Sequence, residues 1–197
     1  MKKHVAFLML TSALLTACST IDSLRVFDNE EAARLLQQNS TSRPTRQRIA
    51  INLPDSNAWQ RIDLSFGTKG SPIMLVPKQQ TYADWNESVR TQIKAYYHFP
   101  DITAKDFVAQ KIQQAKQECK HVEAQIITAN KSYSLYRLNI ANCRIVKNQL
   151  QIGKAFNGVD AVYVVYYAAD LTQISDAEVK RMSGVIAATR LVAKRTT

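Results

Sequence analysis

The chain between residues 119 and 143 admits few folds. Apolar residues recur at every second position on both sides of Asn130-Lys131-Ser132, the spacing of a strand with one buried face. Folding the halves together around that three-residue loop sets Val122 opposite Ile140, Ala124 opposite Leu138 and Ile126 opposite Tyr136 on one face. Glu123 then meets Asn139 and Gln125 meets Arg137 on the other. A slip of one residue would set Val122 against Asn139 and Ala124 against Arg137, leaving neither face apolar. The same register places Cys119 opposite Cys143. The cysteines share the parity of the polar face, yet Cys119 also continues the apolar stripe of a helix before it. A helix that ends near Glu118 lets the chain rotate before the strand begins.

Further strands follow. Residues 149–156 alternate with Leu150 and Ile152 on one face, Asn157-Gly158 is a turn signal, and 161–168 are β-branched and aromatic. Val162 to Tyr167 has no polar face, which predicts a central strand covered on both sides. Ser175 and Glu178 have the spacing of a capping box, and Val179, Met182, Ile186 and Thr189 lay an amphipathic helix across the sheet. Its polar complement is Lys180, Arg181, Arg190, Lys194 and Arg195.

Upstream, Asp84 with Glu87 caps a predicted helix that carries Trp85, Val89, Ile93 and Tyr96 on one side and stops at Phe99-Pro100. Thr103 opens a second, with Val108, Ile112, Ala115 and Cys119 along its stripe and Lys105, Lys111 and Lys116 elsewhere. Residues 48–77 read as extended: Ile49, Ile51 and Leu53 alternate, as do Ile62, Leu64 and Phe66, and an apolar run covers 73–76. Gly67-Thr68-Lys69-Gly70 is a hairpin turn, since a phosphate loop needs its lysine after the second glycine and a helix beyond it. The expected fold is α+β: an antiparallel four-stranded meander over about 121–168, packed by two preceding helices and a C-terminal helix, with additional short N-terminal strands.

The first twenty residues carry a different message. Lys2 and Lys3 precede an apolar stretch at 5–15, and Ala17 stands immediately before Cys18, the order of an export signal. The stretch is too short to span a bilayer, which takes roughly 20 apolar residues. Leu15-Thr16-Ala17-Cys18 resembles the lipobox of bacterial lipoprotein precursors, a resemblance confined to this segment. It implies cleavage between Ala17 and Cys18, a diacylglycerol on the Cys18 thiol and an acyl chain such as palmitate on the new amino terminus. Each buried methylene adds about 0.8 kcal/mol of membrane affinity, so several chains anchor the protein without a transmembrane helix. Ser19 stands where retention in the inner membrane takes Asp, which implies the outer membrane, with the protein facing the periplasm. The organisation that follows is a signal peptide at 1–17, a lipidated N-terminus and basic tether at 18–47 with Arg43 and Arg46, and one domain at 48–197. Within that domain, 48–80 is the extended part and 81–197 the helix and sheet core.

Loss of the signal removes Lys2 and Lys3 from 26 basic residues, so 24 face 16 acidic ones, a net charge of +8. In an envelope compartment this charge fits phospholipid, lipopolysaccharide phosphate or an acidic protein rather than nucleic acid. The same compartment oxidises thiols, so Cys119 and Cys143 read as a disulfide, worth about 3 kcal/mol in the chain-entropy model. The mature chain keeps only His98 and His121, which offer no zinc-ligand spacing, and no cofactor is expected. No nucleophile-elbow, zincin or dinucleotide motif is present. Asp160 and Asp170 flank the last strand as turn residues. The chain therefore reads as non-enzymatic. The leading expectation is an accessory or scaffold subunit of an envelope assembly in secretion, transport or cell-wall linkage, with a protein partner and with the membrane held through the lipid. The alternative is a binding or carrier module for an anionic lipid, lipopolysaccharide or glycan, seated in a groove between sheet and helix lined by Tyr163, Tyr166 or Tyr167 and rimmed by Lys or Arg.

Overall fold

In chain order the elements are β1 (Gln47–Ala50), a short 3-10 turn (Ser56–Ala58), β2 (Trp59–Asp63), β3 (Ile73–Pro77), β4 (Glu87–Ala95), α1 (Ala104–Glu118), β5 (Cys119–Ala129), β6 (Tyr133–Cys143), β7 (Gln149–Asn157), β8 (Ala161–Asp170), α2 (Asp176–Ala188) and β9 (Arg190–Ala193). The structure, a computed structural model, describes residues 46–63, 73–96, 98–144 and 146–193. Cys18 and Ala17, Arg43, the Gly67 to Gly70 turn, Leu64, Phe66, Lys194 and Arg195 lie outside these residues. No described helix is long and apolar enough to cross a membrane.

The fold is α+β, with a mostly antiparallel sheet and two helices. The expected four-stranded sheet is corrected to seven strands in the order β2-β3-β4-β8-β7-β6-β5, beside a two-stranded ribbon of β1 and β9. The added strands arise because β8 offers two edges, of which β7 takes one and β4 the other. That second pairing also overturns the helix expected around 84–96. Val89 and Ile93 are four apart, a spacing that suits one helical turn and equally two strand periods. In β4 they alternate with Arg90 and Gln92 and lie opposite Tyr167 and Tyr163 of β8. Asn86 N–H, which a capped helix would have kept near Asp84, donates instead to Gln80 Oε1 at 2.7 Å. Glu87 accepts the Tyr167 hydroxyl at 2.8 Å. Among the described residues one α-helix, not two, therefore precedes β5.

α1 begins as the sequence predicts. Thr103 caps Asp106 N–H and Asp106 returns the bond to Thr103 N–H, satisfying two donors that a helix start leaves free. Asn157, at the far end of β7, accepts the Ala104 N–H at 2.6 Å and ties the helix start to the sheet. β5 and β6 pair in the register that alternation predicts, Val122 with Ile140 and Cys119 with Cys143, up to an irregularity between Ile126 and Thr128. A disulfide joins Cys119 to Cys143. The helix ends at Glu118 with Cys119 as its C-cap, Asn142 has a φ of 55° at the end of β6, and both cysteines pack against the core under α1.

Side-chain alternation divides the core in two. Phe107, Val108 and Ala115 of α1 cover Tyr136, Leu138, Ile140, Ala155, Val162 and Val164. On the opposite face Met182 and Ile186 of α2 pack with Leu150, Ile152, Phe156, Tyr163, Val165 and Tyr167, so β8 is covered on both sides. α2 opens on Ser175, which accepts the Glu178 N–H, but it ends at Ala188. Thr189 and Arg190, expected on the helix, form its C-cap and the start of β9. β9 then pairs with β1, setting Gln47 opposite Ala193. Arg46 N–H donates to Asp160 at 2.7 Å, which fixes this ribbon beside the turn before β8.

Candidate functional site

The three tyrosines expected at one groove are divided between two faces, because a strand points successive side chains to opposite sides. Tyr163 and Tyr167 are fully buried toward α2. Their hydroxyls donate to Asp160 at 2.6 Å and to Glu87 at 2.8 Å. Burial and then the Glu87 charge hold the Tyr167 phenol far above its usual range. Both rings are core. Tyr166, partly exposed, points to the α1 face, where the chemistry differs.

Register sets one lateral row on that face: Arg90 of β4 opposite Tyr166 of β8, Tyr166 opposite Gly153 of β7, and Gly153 opposite Tyr136 of β6. Gly153 is required here because a Cβ would collide with Tyr136 Cζ and Oη, so the Tyr136 phenol lies across β7. Two residues along β7 from Gly153, Gln151 points the same way, 6 % exposed. From above, Lys111 of α1 brings its Nζ to 4.5 Å from the centre of the Tyr166 ring. The Arg90 guanidinium lies 4.6 Å above Trp85 and bonds Ser88 Oγ at 3.2 Å. The Lys147 ammonium stands 5.8 Å from the same Trp85 ring. Cations over aromatic faces gain from the ring quadrupole, but these rings do not neutralise them.

The electrostatics follow. Burial first, and then repulsion from Arg90, push the Lys111 ammonium down to about 8; Glu118 opposes with a weaker effect than Arg90. Burial, and then Tyr166, hold the Tyr136 phenol well above its usual range. Two mutually repelling cations, a partly exposed phenol and a buried amide thus share one patch, an arrangement suited to an anion. Nothing in it provides a nucleophile paired with a base.

Lys111 was placed off the helix stripe in sequence. It follows Phe107 and precedes Ala115 at four-residue steps, all on the covered side of α1. Gln149 and Gln151, on the face of β7 opposite Leu150 and Ile152, are buried. The available signal was Gln and Gly on a strand beside one with two apolar faces. Asp160 and Asp170 stand at opposite ends of β8, roughly 30 Å apart at the usual strand rise. Each is used locally, by Tyr163 and by Thr172, so they do not form a catalytic pair. A cleft of about 410 Å³ near the start of α2 carries Glu87 and Glu178, but Tyr167 and Arg181 already occupy these carboxylates. Among the described residues no cluster of His, Cys, Asp and Glu could hold a metal ion.

No family model matches the chain, and no curated protein does. Among solved structures, the chain is similar to LpqN, described as involved in cell envelope biogenesis of Mycobacterium tuberculosis, at 15% identity over 76% of this chain and 86% of that one, with a TM-score of 0.46. It is also similar to protein of unknown function PA94 from Pseudomonas aeruginosa, a "putative regulator", at 12% identity over 78% and 100% of the two chains and a TM-score of 0.42. A third is the cyanobacterial PsbP (CyanoP) of Synechocystis sp. PCC 6803, at 12% identity over 78% and 96%, with a TM-score of 0.40. At these values the likeness is one of outline, and none of these proteins' roles carries over.

Proposed function

We propose that this chain is a lipid-anchored, non-enzymatic protein of the cell envelope that acts as a binding module for an anionic envelope ligand, taken up between α1 and the β4 side of the sheet. The observation that supports the reading is that Lys111 stands over Tyr166 within reach of repulsion from Arg90, opposed only by the weaker effect of Glu118. Holding two like charges together is unfavourable until an anion joins them. The anchor rests on Leu15-Thr16-Ala17-Cys18, and the outer membrane on Ser19. Native mass spectrometry of the full chain extracted from its own membranes in mild detergent tests the binding. A copurifying anionic species is expected, and Arg90→Ala with Lys111→Met should lose it. A wild-type protein free of any such mass, in every detergent tried, would count against the module.

A second reading, an accessory subunit with a protein partner, draws support from β5. This strand forms one edge of the sheet, with Ile126 and Ile127 45% and 47% exposed, and an open strand edge is a template for pairing. A stoichiometric partner retained by the wild type and lost on Ile127→Lys is its expected outcome. Retention unchanged by that substitution would remove β5 from the contact.

A further inference from the structure

On the face that α1 covers, the sheet carries two polar groups that the fold leaves without a partner. Tyr136 is fully buried and its Oη makes no hydrogen bond; Gln151 is nearly so, and its Oε1 makes none. Buried polar groups are almost always satisfied, and each exception is unfavourable by roughly 1–3 kcal/mol. Register sets both on the face of the sheet that carries Tyr166 and Arg90. The Tyr136 phenol reaches over Gly153 toward Tyr166, while Gln151 lies opposite Ala168, whose other neighbour is Ser88 beneath Arg90. The patch therefore offers cationic donors, a phenolic hydroxyl and an amide oxygen that can only accept.

Carboxylates, sulfate esters and phosphodiesters carry acceptors alone near neutral pH. They would accept from Arg90, Lys111 and the Tyr136 hydroxyl but bring no donor of their own to Gln151 Oε1. A phosphomonoester differs, since its second ionisation falls near pH 6 and its singly charged form keeps one P–O–H. Resting on the anion-binding reading above, we propose that the group this face takes is a phosphomonoester. Its anionic oxygens are held by Arg90 and Lys111, one of its oxygens accepts from Tyr136 Oη, and its remaining P–O–H donates to Gln151 Oε1. The shared chemistry is a terminal phosphate, carried either by a lipid headgroup or by a small solute. The depressed ionisation of Lys111 agrees with a cation that still lacks a counter-charge.

The test titrates the full chain in detergent micelles with methyl phosphate and methyl sulfate at about pH 6, following Trp85 fluorescence and calorimetry. Methyl phosphate should bind about tenfold more tightly, the equivalent of one good hydrogen bond. Gln151→Leu should reduce that ratio to near unity, Gln151→Glu should preserve it, and Arg90→Ala should lose both ligands. On the wild type alone, the ratio should fall between pH 6 and pH 8 as the monoester loses its proton. Titration of Lys111, Glu118, Tyr136 or Tyr166 acts on both ligands and leaves the ratio nearly unchanged. This arm stands even where Gln151→Leu does not fold. Competition by mixed micelles doped with phosphatidic acid but not with phosphatidylglycerol would assign the phosphate to a lipid. Binding of methyl phosphate without such competition would assign it to a solute. Equal affinities for methyl phosphate and methyl sulfate, both lost in Arg90→Ala, would overturn the phosphomonoester and leave the anion site standing. Absence of binding by either would overturn both.

Discussion

On opposite faces of the sheet Lys154 is buried and Lys111 half-buried, and their substitutions should differ accordingly. Lys154 donates to the carbonyls of Ala187 at 2.6 Å and Thr189 at 2.8 Å, closing the end of α2 where backbone acceptors are otherwise free. Its ammonium also lies 4.4 Å from the Tyr133 ring centre. Lys154→Met keeps the apolar stem and removes both bonds, so it should destabilise the protein by about 2–3 kcal/mol in urea denaturation. Lys111 has the Tyr166 ring and a repelling Arg90. Its folded value of about 8 lies below the unfolded one, so between these values the unfolded chain binds the extra proton and stability rises with pH. Below about pH 8 the lysine is charged in both states and its burial is a fixed penalty. Lys111→Met should therefore be at least as stable as the wild type at pH 7, and should flatten the rise between pH 8 and pH 10. Lys154, also lowered by burial, adds a slope of the same sign that the variant retains. A wild-type midpoint that falls over this range would contradict the assignment.

At the scale of elements, the β5 and β6 pair was legible because one face had to be apolar, and only one register made it so. The disulfide at its open end constrains the unfolded chain. Changing Cys119 and Cys143 together to Ser should lower stability by about 3 kcal/mol, and added reductant should then leave the variant's urea midpoint unmoved while lowering that of the wild type. β6 and β7 depend on a different device, the passage of Tyr136 over Gly153. Gly153→Ala overpacks this crossing and should cost about 1–3 kcal/mol. Tyr136→Leu in the same chain should recover part of that loss, a coupling that a double-mutant cycle measures. β4 was illegible for a physical reason. Four-residue spacing satisfies both periods, and what selected the strand was the open edge of β8, with Gln80 holding the Asn86 N–H.

Across the whole molecule, the proposed anchor and the domain make separable contributions. On the proposed reading, a lipid on Cys18 holds the protein to the membrane whatever the domain does. Cys18→Ser should release the protein to the aqueous phase in detergent partitioning and lower its intact mass by the acyl and glyceryl groups. A variant that stays in the detergent phase would show that another contact anchors it. The net charge of +8 after signal removal, derived from 26 basic and 16 acidic residues, becomes specific only where the fold concentrates it, as at Arg90, Lys111 and Lys147.

By itself the sequence determined what depends on neighbours along the chain or on a single pairing. It set the start of α1 at Thr103, the β5 and β6 register with its cysteine pair, and the two-sided burial of Val162 to Tyr167. The tertiary structure alone decided which strands lie beside β8 and which face α1 covers. Those choices put Lys111, Gln151 and Tyr136, from three separate elements, on the two sides of one helix and sheet interface. No local period encodes that meeting, because it follows from the order of seven strands and the angle of one helix across them.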